Sequence, residues 1–136
     1  MQPLVMVVDD EEKVRKYLSR LLEKRGFEVA TAENGAEALG LLAGRDFDVI
    51  LLDILMPGQD GITVLKEVKK RKPLTEVIIL TGNASVTTGV EGMQFGASDY
   101  LLKPVDLDSL MVCMREALEQ RRFRIAQPET RVKDGQ

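Results

Sequence analysis

Five short apolar runs, separated by stretches of helical period, restrict what this chain can fold into. Val5-Met6-Val7-Val8, Val49-Ile50-Leu51-Leu52 and Val77-Ile78-Ile79-Leu80 are continuous aliphatic segments. Such runs read as parallel strands covered on both faces. Phe27–Thr31 alternates and is less uniformly apolar, which suits a strand toward an edge, and Asp99–Leu102 supplies a fifth strand. Between them Val14, Leu18, Leu21 and Leu22 recur at helical spacing until Gly26. Asn34-Gly35 precedes a helix over Ala36–Ala43, and Ile62, Leu65 and Val68 mark a third that ends before Pro73. A fourth helix is expected over Ser85–Phe95, and a fifth from Asp106 with Leu107, Leu110, Met111, Met114 and Leu118 on one face.

Strands alternating with helices imply right-handed βαβ crossovers and a sheet with helices on both faces. The expected fold is therefore a (βα)5, doubly wound, flavodoxin-like α/β domain. Its five-stranded parallel sheet has the order 2-1-3-4-5, with the switch point between strands one and three. The 136 residues suffice for one domain, set at residues 1–121. Periodicity is lost near Gln120, so residues 122–136 read as a polar tail or linker.

Four of the runs end in residues suited to phosphate. In chain order the first meets Asp9-Asp10, the third Asp53, the fourth Thr81 and the fifth Lys103. Ligands of open α/β sheets bind outside the carboxyl ends of the strands, so three acids, a hydroxyl and an ammonium converge on one edge. Clustered carboxylates repel one another, and a divalent cation removes that cost. With no histidine in the chain, the metal must be a hard cation held by oxygens, and Mg²⁺ is expected. Asp10 and Asp53 read as direct ligands, with Asp9 acting through water. Asp53 is the candidate nucleophile toward phosphorus, Lys103 and the metal supply positive charge, and the Gly82 amide is a donor with no side chain in its way. The plainer alternative is that Asp9-Asp10 only caps a helix, but the pairing with Asp53 favours the metal reading.

Composition sets outer limits. A net charge of −3 argues weakly against direct nucleic-acid binding. The lone Cys113 rules out a disulfide framework, and no apolar run approaches the ~20 residues that span a bilayer. Met1-Gln2-Pro3 carries no basic leader, so a cytoplasmic location is expected. Met111, Cys113 and Met114 read as core residues, and Arg121, Arg122 and Arg124 as a solvated helix end or the start of a connector continued by Ile125. No phosphate-cradling P-loop is present.

The ordered motifs resemble one family closely. Val7-Val8-Asp9-Asp10-Glu11, Asp53 through Gly61, Leu80-Thr81-Gly82 and Asp99 through Pro104 are similar to the receiver domain of bacterial two-component response regulators, over about residues 4–120. The resemblance implies a phosphorylation-dependent switch rather than an enzyme acting on other substrates. Asp53 would accept a phosphoryl group from a sensor histidine kinase or phosphotransfer protein. Asp9, Asp10 and Asp53, with the Leu55 carbonyl, would hold Mg²⁺. Thr81, Lys103 and the Gly82 amide would contact phosphoryl oxygens, and Thr81 with Tyr100 would form the switch. A cis Lys103–Pro104 peptide is also implied. The surface of the fourth helix, fifth strand and fifth helix would then control a homodimer, a downstream effector or a C-terminal output domain.

Two features depart from that pattern. Gly89 and Gly92 lie in the fourth helix, where each costs roughly 1 kcal/mol relative to Ala, so either the helix is easily remodelled or it packs too closely for a side chain. Leu55 and Asn83 flank the acceptor site, and an apolar Leu55 cannot orient water, which predicts slow loss of the phosphoryl group. Three other functions keep the fold, one of them a receiver-like interaction module that is never phosphorylated, which the intact acid, threonine and lysine set disfavours. A small-molecule aspartyl-phosphatase would carry a second acid where Leu55 stands, and a nucleotide- or flavin-binding domain would need Ser, Thr or Gly where Asp9-Asp10-Glu11-Glu12 stands.

Overall fold

Alternation along three fully enclosed strands divides the core into two layers. These are β1 (Leu4–Val8), β3 (Val49–Asp53) and β6 (Glu76–Gly82) in the computed structural model, which describes residues 2–56, 59–82 and 91–127. Met6, Val8, Ile50, Leu52, Val77 and Ile79 point to one face, where α2 (Gly35–Gly44) and α3 (Gly61–Arg71) cover them. Val5, Val7, Val49, Leu51, Ile78 and Leu80 point to the other, against α1 (Glu12–Lys24) and α5 (Leu107–Ala126). Leu18 and Leu22 of α1 and Leu110, Met114 and Ala117 of α5 complete this second layer. Burying each such side chain is worth roughly 1.5–3 kcal/mol against leaving it in water.

The sheet also contains β2 (Glu28–Ala32) and β7 (Asp99–Lys103), with a short helical segment α4 over residues 91–94 between β6 and β7. The order is β2-β1-β3-β6-β7, all parallel, which is 2-1-3-4-5 when only the strands of this sheet are counted. The flavodoxin-like fold expected from the sequence is thus present, with the less apolar strands at the edges. Asn34 caps α2 as anticipated, its Oδ1 accepting the Glu37 amide at 2.9 Å. Asp106 caps α5 in the same way through Ser109. Cys113 and Met114 are buried in the second layer.

Three differences from the sequence reading have clear causes. The segment read as a loop after β3 contains two short antiparallel strands, β4 (Leu55–Met56) and β5 (Gln59–Asp60); Pro57 and Gly58 lie outside the described residues. Gly61 closes this turn where its backbone meets Ile54, and a Cβ there would sit 2.5 Å from Ile54 Cα. Gly92 faces the sheet, and its Cβ would collide with Ile79 Cδ1 at 1.9 Å, which supports the close-packing reading of that glycine. Residues 85–90, including Gly89, lie outside the described residues.

The third difference is a correction at the end of the chain. Helix α5 runs unbroken to Ala126, so the expected loss of helix near Gln120 does not occur. Nor are Arg121 and Arg124 solvated. Arg121 Nε donates to Asp48 Oδ1 at 3.0 Å and its Nη1 to the Leu74 carbonyl, while Asp48 Oδ2 accepts the Leu4 amide at 2.7 Å. Arg124 Nη1 lies 3.1 Å from Oε2 of Glu76, a wholly buried carboxylate whose other oxygen accepts from Ser98 Oγ at 2.5 Å. The last turns of α5 are held by charge, which hydrophobic periodicity does not register.

Removing one partner of a buried pair leaves an uncompensated charge, whereas exposed pairs contribute little. Arg124→Ala should therefore lower stability by roughly 2–4 kcal/mol. Arg45→Ala, which breaks the exposed Arg45–Glu28 pair, should cost under about 1 kcal/mol. Urea unfolding of the two variants at neutral pH checks the contrast.

Candidate functional site

The five-residue constellation assembles at one edge because β1, β3, β6 and β7 all end there. Asp9 and Asp10 follow β1 directly, Asp53 closes β3, Thr81 and Gly82 close β6 and Lys103 closes β7. Parallel pairing fixes their spacing: Asp53 stands opposite Leu80, and Gly82 opposite Lys103. Asp9, Asp10 and Asp53 each offer an oxygen within 4.8 Å of the others. Asp9 and Asp53 are buried, and Asp10 faces solvent.

Local structure aims each acid. Asp9 donates its amide to the Ala32 carbonyl at 3.1 Å, and its Oδ1 accepts the Glu11 amide at 2.9 Å, tightening the turn into α1. Arg15 Nη1 donates to the Asp9 carbonyl at 2.8 Å. Sequence reasoning did not single out Arg15, which looked like one more charge on an amphipathic helix. Asp53 Oδ1 accepts the Leu55 amide at 3.1 Å, so the turn after β3 orients one carboxylate oxygen and leaves the other free to face Lys103.

Lys103 is the single cation among these acids in the described residues. Its Nζ lies 2.6 Å from Asp9 Oδ2, 3.4 Å from Asp53 Oδ2 and 3.9 Å from Glu11 Oε1. The approach to Asp9 Oδ2 is off the hydrogen-bonding angle, so that buried oxygen has a neighbouring charge but no hydrogen bond. Burial pulls the Lys103 ammonium down, yet the close contact with Asp9 and the charges of Asp53 and Asp9 outweigh it and hold the group above its ordinary range. Burial pushes the Asp53 carboxyl up to about 6; Asp9 adds to the rise, while the Leu55 amide and Lys103 oppose it.

Other expected residues lie around this centre. Thr81 is fully buried, and among the described residues its hydroxyl makes a long 3.3 Å bond to the Gly82 carbonyl. Among the described residues, a Cβ at Gly82 would meet nothing within 4 Å. Tyr100 is half-buried against the α2–α3 layer, and Leu55 is 57% exposed at the rim. The Lys103–Pro104 peptide is cis. Asn83 lies outside the described residues.

A buried carboxylate oxygen without a hydrogen bond, three acids within one coordination shell and hard oxygen donors alone suit a small divalent cation. Phosphoryl transfer needs such a site: a nucleophile, adjacent positive charge and room for three phosphoryl oxygens.

Comparison with known proteins agrees. The chain belongs to the response regulator receiver domain family, which it matches over residues 5–125. It is 45% identical to the regulatory protein AtoC of Escherichia coli K12 and 44% identical to the DNA-binding transcriptional regulator NtrC of the same organism. Each alignment covers 85% of this chain, but 25% of AtoC and 24% of NtrC, so the chain spans about a quarter of the length of these curated relatives. Among solved structures, a response regulator receiver domain protein from Clostridium thermocellum superposes with a TM-score of 0.84 at 33% identity, covering 89% of this chain and 98% of that one. The chain is thus similar to the receiver portion of two-component response regulators, and the resemblance read from its motifs holds.

The raised Asp53 carboxyl fixes a sign for pH dependence. In metal-free solution the folded state binds this proton more tightly than the unfolded chain, so stability falls as pH rises from about 4 toward 6 and the loss persists above. Asp53→Asn removes that loss. In EDTA at pH 8 the variant should be more stable than the parent by ~1–3 kcal/mol, with the gap closing near pH 4. Urea midpoints at the two pH values measure it.

Proposed function

We propose that the chain is a phosphorylation-controlled signalling switch whose acceptor is Asp53. The observation that carries this reading is the Asp9–Lys103–Asp53 cluster: a buried nucleophile 3.4 Å from an ammonium, beside acids that form a cation site. The donor is a phosphohistidine of a sensor kinase or phosphotransfer protein, since this chain has no histidine of its own. In the transfer, an Asp53 carboxylate oxygen forms a bond to phosphorus as the phosphorus–nitrogen bond of the donor breaks. The electron pair leaves with the imidazole, which takes up a proton.

Asp9, Asp10 and Asp53, with the Leu55 carbonyl, are the proposed holders of Mg²⁺. When bound, the ion supplies positive charge that neutralises these acids and the incoming phosphoryl oxygens. Lys103, whose ammonium already lies 3.4 Å from Asp53 Oδ2, turns from Asp9 to the phosphoryl group, which it reaches from the end of β7. Thr81 exchanges its long bond to the Gly82 carbonyl for a phosphoryl oxygen, and the Gly82 amide donates to another. The Asp53 carboxylate, with its single negative charge, becomes an acyl phosphate carrying about two, spread over the phosphoryl oxygens. Movement of Thr81 opens room beside β6 into which Tyr100 turns, biasing the surface of α4, β7 and α5 toward an effector, an output domain or a second copy. The chain's own chemistry is limited to gaining and losing this one group. Leu55, exposed where an aspartyl-phosphatase would hold its second acid, supports a switch over a turnover enzyme.

Intact-mass measurement after exposure to acetyl phosphate should show one added phosphoryl group, only with Mg²⁺, and none in Asp53→Ala. Unchanged mass in the parent, or equal uptake by the variant, contradicts the assignment. Leu55→Asn should shorten the lifetime of the group severalfold, because an amide at the rim orients attacking water. Mass spectra taken during decay in each protein measure this.

A further inference from the structure

A groove of about 420 Å³ separates the end of α1 from α5. Phe27, Met111, Met114 and Leu118 form its floor, and Arg25, Arg115 and Arg122 its rim. It lies beside the amino end of β2, which Phe27 precedes, and so away from the strand ends that carry Asp53. The site described above does not use it.

The rim is electrostatically one-sided. The chain as a whole carries −3, yet among the described residues three guanidiniums line this groove and no carboxylate does. Each of the three arginines is exposed, and none makes an ion pair or side-chain hydrogen bond among the described residues. This contrasts with Arg45, Arg121 and Arg124, which all have acidic partners. Guanidinium forks match carboxylates, and methionine side chains adapt to the partner that covers them. Met111, Met114 and Leu118 follow one another at helical spacing along α5, so the floor is a stripe parallel to a helix. An apolar stripe flanked by cations takes a helix with an apolar face and acidic flanks.

We propose that this groove docks an acidic amphipathic helix of a partner protein, its apolar side on Phe27, Met111 and Leu118 and its carboxylates on Arg25, Arg115 and Arg122. The contact is separate from the acceptor site at Asp53.

The test uses the full chain labelled with ¹³C at its methionine methyls. The probe is a synthetic helix with leucine on one face and glutamate on both flanks, and the control is the same helix with lysine for glutamate. Adding the acidic helix should shift the Met111 and Met114 methyls and leave Met93, on α4, unmoved. The charge-reversed variant Arg115→Glu/Arg122→Glu, both positions exposed, should weaken binding about tenfold or more while its other methyl signals keep their places. Equal binding of the lysine helix, unmoved Met111 and Met114 methyls, or undiminished binding by the variant overturns the proposal. So does a shift of the same two methyls on concentrating the protein alone with a dimer in sedimentation, which would give the groove to a second copy.

Discussion

Three carboxylates cannot share the edge of a buried sheet without positive charge, and the rest of this structure is arranged around that constraint. Asp9 and Asp53 are enclosed by the strands that present them, and Asp10 stands at the opening. The ammonium of Lys103 is the one cation among the described residues that meets both buried acids. It is placed there by β7, at the far side of β6 from β3. A charge so positioned balances both buried acids. The fold's role at this edge is to hold these partners at those distances.

Much of this was legible in the chain because buried parallel strands leave a strong signal. A run such as Val49–Leu52 has few other structural uses, and the residue that ends it must lie at the sheet's carboxyl edge. Asp9, Asp53, Thr81 and Lys103 were found by that rule, before any resemblance was invoked. What the rule could not give was the arrangement within the site. That Lys103 approaches Asp9 more closely than Asp53 depends on side-chain reach across two strands, and that Arg15 ties down the Asp9 carbonyl depends on the pitch of α1.

The end of α5 was misread for a related reason. Hydrophobic period reports only apolar contacts, whereas Arg121 and Arg124 secure this helix through Asp48 and the buried Glu76. A charged stretch therefore read as a frayed end when it is anchored. The glycines were ambiguous in the same way. Gly61 is required by the Ile54 backbone, and Gly92 is crowded by the end of the Ile79 side chain, neighbours in space that no local pattern reveals. The anchored helix also gives the molecule two unlike ends: a charged, reactive edge at the strand termini, and a rim opposite where α5 is pinned to the sheet.

The central claim is that Lys103 trades Asp9 for a phosphoryl group on Asp53. A crystal structure grown with magnesium and beryllium fluoride tests it most directly. The account predicts beryllium bonded to an Asp53 oxygen, the metal against Asp9 and Asp10, and Lys103 Nζ moved onto fluorine. Lys103 still seated on Asp9 beside a bare Asp53 would contradict it.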